Sequence, residues 1–195
     1  LSTLLSNNKM KPIIIVSGLP RSGTSMIMQV LEAGGLPVAA DGKRKPDESN
    51  PKGYFEVESI IDKIKAEPRR IFDFEGKVLK VIAYGLQFLL PGDYSIIYVE
   101  RNIEEVLDSM EKMMGAKDEE REKTKKAFIK LNEKTKEEIT KRKDMRILFI
   151  DYNQVLSNPR ENLEKIHSFL QDESLDLERM IAAVDKNLWR QRRLE

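Results

Sequence analysis

One stretch constrains the fold of this chain more than any other: "KPIIIVSGLPRSGTSMIMQVLEAGG", residues 11–35. Its run "PIIIV" is β-branched and apolar at consecutive positions, which predicts a short strand buried on both faces. A loop with Gly18 and Gly23 follows, then an apolar helix through Leu31 that closes at Gly34 and Gly35. Strand, tight loop and helix aim backbone N–H groups and the positive end of a helix dipole at one point, and so make an anion trap. The loop is nearly a P-loop, G-x-x-x-x-G-K-[ST]. Gly18, Gly23 and Ser25 fit, but Thr24 stands where the lysine belongs and Arg21 sits inside the loop. In an NTPase that lysine reaches the β- and γ-phosphates, so its loss argues against ordinary ATP or GTP hydrolysis. Anion binding survives, because Arg21 offers a planar fork and Ser22, Thr24 and Ser25 offer hydroxyls. Glycines serving turn geometry alone would leave this cluster of donors unexplained.

The rest of the chain alternates strand and helix signals. "GKVLKVIAY" (76–84), "YSIIYVE" (94–100) and "RILFID" (146–151) read as strands. "YFEVESIIDKIKA" (54–66), "NIEEVLDSMEKMM" (102–114) and "NPRENLEKIHSFL" (158–170) read as helices, the second with Ile103, Val106, Leu107 and Met110 on one face. Residues 116–143 are heavily charged, with only Phe128, Leu131 and Ile139 as a thin apolar stripe, and predict a solvated helix or helix pair. Residues 37–53 form a long loop rich in Pro, Gly, Asp and Lys. This order predicts an α/β fold: a three-layer sandwich with a mostly parallel sheet and helices on both faces. A length of 195 residues suits one domain over 1–195, with residues 1–10 expected to be disordered or a foreign leader.

Composition closes off several function classes. Hydrophobic content of 40% with 34% charged residues is globular, neither disordered nor collagenous. A net charge of +1 gives no bulk attraction to nucleic acid. The chain has no cysteine, which excludes a disulfide framework or thiolate metal site and suits a reducing compartment. No apolar run reaches the ~18 residues of a membrane span, and "LSTLLSNNKMKP" lacks the organisation of a signal peptide. A cytoplasmic location is the expectation.

Three segments carry a family resemblance. "LPRSGTSM" (19–26) resembles the 5′-phosphosulfate loop of sulfotransferases that use 3′-phosphoadenosine 5′-phosphosulfate (PAPS): Pro, a basic residue, Ser-Gly-Thr, then Thr or Ser. "SIIYVERNIEEVLDSM" (95–110) resembles the family's 3′-phosphate motif, in which a strand ends in Arg and a helical Ser follows eight residues later, here Arg101 and Ser109. An Arg at a strand's C-terminal end can fork onto a phosphate, and a Ser about two turns into the next helix can add a hydroxyl. A helix-start ion pair is the simpler role for Arg101. "FIDYNQVLSNPRENLEKIHSFL" (149–170) resembles the segment that runs strand, Tyr, polar residues, Pro and helix. It implies that Tyr152 contacts the adenine; packing at a strand end is the alternative. The "NPKGYFE" at 50–56 is similar to small bacterial members of the family.

The resemblance implies PAPS as donor, 3′-phosphoadenosine 5′-phosphate (PAP) as product, and no metal. Arg21, Ser22, Gly23, Thr24 and Ser25 would hold the 5′ side; Arg101 and Ser109 would hold the 3′-phosphate. Arg21 and Lys80 would stabilise charge on the moving group. The chain departs from the family at two places. In cytosolic members a catalytic His follows the strand lysine by two residues; here "LKVIAY" puts Ile82 there. The sole histidine, His167, lies in a late amphipathic helix and reads as structural. A base must then be a carboxylate: Glu56, behind Tyr54 and Phe55, is preferred, Glu48 is second, and Asp41, Asp47 and Glu58 are further candidates. Met26 replaces a Trp that stacks on adenine in many relatives; "KNLWRQRR" (186–193) offers Trp189 for stacking and Arg190 or Arg192 for the 3′-phosphate. The acceptor would be a hydroxyl or amine on a small molecule, carbohydrate or lipid. Two alternatives stay open: a PAPS- or PAP-binding protein without catalysis, and a P-loop kinase for a nucleotide or small molecule.

Overall fold

A computed structural model of the chain describes residues 11–43 and 53–185. The expectations for residues 1–10, Asp47, Glu48, Trp189, Arg190 and Arg192 lie outside them. The strands are β1 (Ile13–Gly18), β2 (Val78–Lys80), β3 (Tyr94–Glu100) and β4 (Met145–Asp151). They form one sheet of order β2-β1-β3-β4, and every pairing is parallel. The helices are α1 (Thr24–Ala33), α2 (Ile60–Ala66), α3 (Ile103–Met114), α4 (Arg121–Thr140), α5 (Tyr152–Ser157), α6 (Pro159–Leu170) and α7 (Leu177–Ala183), with 3₁₀ helices at Pro68–Phe74 and Ala83–Phe88.

The sheet is covered on both faces, and the period of two along each strand sorts its side chains between two cores. Ile14 and Val16 of β1, Ile97 and Val99 of β3 and Ile150 of β4 pack with α1, α5, α6 and α7. Ile13 and Ile15, Tyr94, Ile96 and Tyr98, and Met145 pack on the other face with α2, α4 and both 3₁₀ helices. Every residue of β1 is buried. This is the three-layer α/β sandwich that the strand and helix order predicts. No helix among the described residues is long and apolar enough to cross a membrane.

Three local differences have physical causes. The helix expected over 54–66 begins only at Ile60, because Phe55 (φ 48°) and Ser59 (φ 53°) take left-handed backbone that breaks the helix. The strand expected over 76–84 is three residues long; Ala83–Phe88 turns into a 3₁₀ helix, and Gly85 packs so closely that a Cβ would lie 2.6 Å from Val81. The charged segment forms the single long helix that was one of its two expected arrangements, α4, with Thr135 and Ile139 buried. The short helices α5 and α7 were not expected; Asp151 and Asp176 cap them by accepting from the Gln154 and Arg179 N–H groups.

Arg121 at the start of α4 clamps α3. Its guanidinium donates to Glu104 and Asp108, 2.7 Å each, and pairs with Glu111 at 3.0 Å. Lys125 also pairs with Glu104. The Arg121 hydrogen bond, aided by Lys125, pulls the Glu104 carboxyl down to about 2. A depressed carboxylate stabilises the fold above its ordinary value, and that contribution is lost as pH falls toward the folded value. Urea midpoints should therefore drop between about pH 5 and about pH 2, and Glu104→Gln should flatten that drop while costing about 1 kcal/mol at neutral pH, the scale of a solvent-screened ion pair.

Candidate functional site

The C-terminal ends of all four strands converge, at the edge where parallel α/β sheets bind ligands. Gly18 at the end of β1 pairs with Val99 of β3. Its φ is 148°, and a Cβ there would lie 2.4 Å from the Val99 carbonyl oxygen and 2.5 Å from Ser22 Oγ, so only glycine fits. The loop then turns through Arg21, itself left-handed at φ 69°, and Ser22 N–H donates to the Leu19 carbonyl at 3.1 Å. Gly23 caps α1 with φ 105° and no side-chain bond, so the first N–H groups of α1 remain open to a ligand. Ser22 is 1% exposed and its Oγ has no hydrogen-bond partner among the described residues. A buried hydroxyl without a partner costs about 1–3 kcal/mol, which an anion oxygen placed in the loop would offset.

Arg101, one residue past β3, lies beside this loop. Its Nε donates to Glu105 Oε2 at 2.9 Å, its NH1 donates to the Arg21 carbonyl at 3.2 Å, and its guanidinium sits 4.5 Å from the centre of the Tyr152 ring. Tyr152, the first residue of α5, also packs against the loop: a Cβ on Gly23 would lie 2.1 Å from its ring. Arg21 Nε donates to Ser109 Oγ at 3.0 Å. The glycine loop, Arg101 with Ser109, and Tyr152 are thus brought together from three segments of the chain. Met26 is buried in the same core as Tyr152.

Lys80 ends β2 on the other flank of β1. Its Nζ donates to Ser25 Oγ and the Tyr54 carbonyl at 3.3 Å and to Glu56 Oε2 at 3.2 Å. Lys80 and Glu56 line a cleft of about 640 Å³ together with Ile82, Ile60, Ile61 and Tyr84. Asp41 and Glu58, the other described candidates for the base, line the same cleft. Asp41 accepts from the N–H groups of Glu58 (2.8 Å) and Lys43 (3.1 Å), which hold its carboxyl below the ordinary value. Glu58 pairs with Lys43 at 2.8 Å in an exposed bridge. His167 serves the fold: Nε2 donates to the Leu175 carbonyl at 3.0 Å and ties α6 to the turn before α7.

A family model described as the sulfotransferase domain matches residues 11–191. The chain belongs to the sulfotransferase domain family. Among solved structures, a sulfotransferase of Mycobacterium tuberculosis, STF1, is 14% identical with a TM-score of 0.57, over 89% of this chain and 71% of that one. Mouse sulfotransferase SULT7A1, complexed with PAP, is 18% identical with a TM-score of 0.53, over 88% of this chain and 62% of that one. The sulfotransferase domain of the Synechococcus PCC 7002 olefin synthase is 13% identical with a TM-score of 0.53, over 89% and 78%. At these identities the likeness is one of fold. No curated protein matches.

Within this sulfotransferase domain, sequence reasoning overlooked Glu105 and Asn153. Glu105 is fully buried and its Oε1 accepts from Asn153 Nδ2 at 3.2 Å. The available signal was the i, i+4 spacing from Arg101, and the helix-start ion pair does form. Removing Arg101 would strand the Glu105 charge in the interior. Arg101→Ala should destabilise by about 3–5 kcal/mol, and Arg101→Ala/Glu105→Gln should recover much of that loss, both read by chemical denaturation.

Proposed function

We propose that this domain transfers a sulfuryl group from PAPS to a hydroxyl or amine of an acceptor by in-line displacement, releasing PAP. The observation that carries this is the convergence of Arg21, Lys80, Arg101, Ser109 and Tyr152 on one glycine loop whose buried Ser22 hydroxyl lacks a partner among the described residues. The loop N–H groups, Ser22 and Thr24 would hold the 5′ side, and Arg101 with Ser109 would hold the 3′-phosphate. Tyr152 and the aliphatic Met26 would border the adenine. The mouse relative crystallised with PAP is consistent with that donor. PAPS supplies an activated S–O bond whose leaving group is the 5′-phosphate of PAP. Arg21 and Lys80 are fixed cations that would offset charge on the transferring group without reorganising.

The position of Lys80 favours this over kinase chemistry. In a P-loop NTPase the hydroxyl at the Ser25 position holds Mg²⁺; here that hydroxyl accepts from an ammonium. Ile82, at the usual place of the catalytic His, lines the cleft beside Lys80 and has no group that could take a proton. Glu56 shares the cleft with Asp41, Glu58 and Asp62, and its contact with Lys80 is what favours it as the group that would take the acceptor's proton while Lys80 faces the donor. A cysteine-free chain accords with work in the cytoplasm.

Calorimetry with PAP, 5′-AMP and ATP–Mg²⁺ tests the donor. PAP should bind selectively, and Arg101→Lys, which keeps the cation but loses the fork, should erase most of the preference for the 3′-phosphate. A preference for ATP–Mg²⁺ would establish a kinase instead. With an acceptor in hand, Glu56→Gln should lower kcat about 10²–10⁴-fold and leave PAP affinity unchanged; PAP binding with no transfer in the wild type would leave a binding protein.

A further inference from the structure

The Arg101 guanidinium is fixed on three sides by groups of this chain. Glu105 takes Nε–H, the Arg21 carbonyl takes one hydrogen of NH1, and the Tyr152 ring covers a face. The remaining N–H groups of NH1 and NH2 have no partner among the described residues, and they form the edge that pairs with a phosphate bidentately. The contact that decides which edge is left open is the one to Glu105. Both side chains are out of solvent, at 6% exposure for Arg101 and 1% for Glu105, so the pair is screened little by water.

Glu105 also fixes its surroundings. It lies one turn before Ser109 on the same face of α3, and Ser109 receives Arg21. Its second oxygen receives Asn153, the residue after Tyr152. A carboxylate only accepts, so the Asn153 amide must present its NH₂ group to it. The Asn153 Oδ1 then faces away and is buried without a partner among the described residues. One carboxylate thereby ties the end of β3, α3 and α5 into a single shell around the loop.

We propose that Glu105 is the positioning residue that aims Arg101 at the 3′-phosphate and so sets the selectivity for 3′-phosphorylated nucleotides. The proposal rests on the PAPS reading of the site. It predicts that Glu105 acts on the 3′-phosphate through Arg101 and leaves the 5′-loop's own grip intact.

The test measures PAP and 5′-AMP affinities by calorimetry on the full chain, in the wild type, Glu105→Gln, Glu105→Asp, Arg101→Lys and Arg101→Lys/Glu105→Gln. Glu105→Gln should weaken PAP by about tenfold to a hundredfold, the scale of one charge-assisted hydrogen bond, with 5′-AMP within about threefold of wild type. Glu105→Asp, which keeps the charge, should restore part of the PAP preference. The double variant should lose no more selectivity than Arg101→Lys alone. Equal weakening of both nucleotides, an unchanged ratio, or independent losses in the double variant would overturn the proposal. A poorly folded fraction lowers the binding stoichiometry, not the ratio of affinities, so the ratio still decides. A wild type that binds PAP no better than 5′-AMP would instead sink the PAPS reading itself.

Discussion

The close parallel pairing of β1 with β3 is the constraint on which the site depends. The two strands run in register from Ile13 and Tyr94 to Gly18 and Val99, and the last step places a residue without a side chain against the Val99 carbonyl. Any Cβ at position 18 would push the loop off the neighbouring strand. Because none is there, the loop leaves β1 directly beside the point where Arg101 leaves β3. The loop's Arg21 can then supply a backbone carbonyl to Arg101 and a guanidinium to Ser109. The glycine loop and the segment from Arg101 to Ser109 are therefore in direct contact.

Two cation–carboxylate pairs flank that contact and differ in setting. Arg101–Glu105 is sealed from solvent, where a pair is costly to break and holds geometry tightly. Lys80–Glu56 opens on a cleft, with Glu56 26% exposed, where partners can exchange when a ligand arrives. The contrast suits the division of labour proposed for them. In that proposal the buried pair would present a fixed recognition edge, and the partly open pair would lie where an acceptor enters. Arg121, at the start of α4, stiffens the helix that carries both Glu105 and Ser109 by binding three carboxylates along it.

The departures from the wider family acquire a structural meaning. Ile82 is a wall of the cleft beside Lys80, and Glu56 reaches the same cleft from a different part of the chain. Glu56 gets there because the segment before α2 is not helical, with Tyr54 buried at 3% exposure and its carbonyl accepting from Lys80. A helix over those residues would have turned that carbonyl into its own hydrogen bonds and withdrawn it from the lysine.

The sequence by itself determined the α/β class, the buried parallel strands and the location of the anion loop. These follow from short-range signals: consecutive β-branched residues, glycines at fixed offsets and apolar helical spacing in α3 and α6. It also placed Arg101 just past the end of a strand and Ser109 about two turns into the helix that follows. The tertiary structure decided which side chains meet across the sheet edge. Arg21 and Ser109 are 88 positions apart, and Lys80 and Glu56 are 24 apart; such contacts depend on strand order and register, which local periodicity does not encode. The same limit explains the segment from Tyr54 to Ser59, where the apolar pattern is helical but two left-handed residues and burial of Tyr54 keep the chain out of a helix. It explains Glu105 as well: its spacing announced an ion pair, but only the packing of α5 against α3 showed that this carboxylate joins three elements around the site.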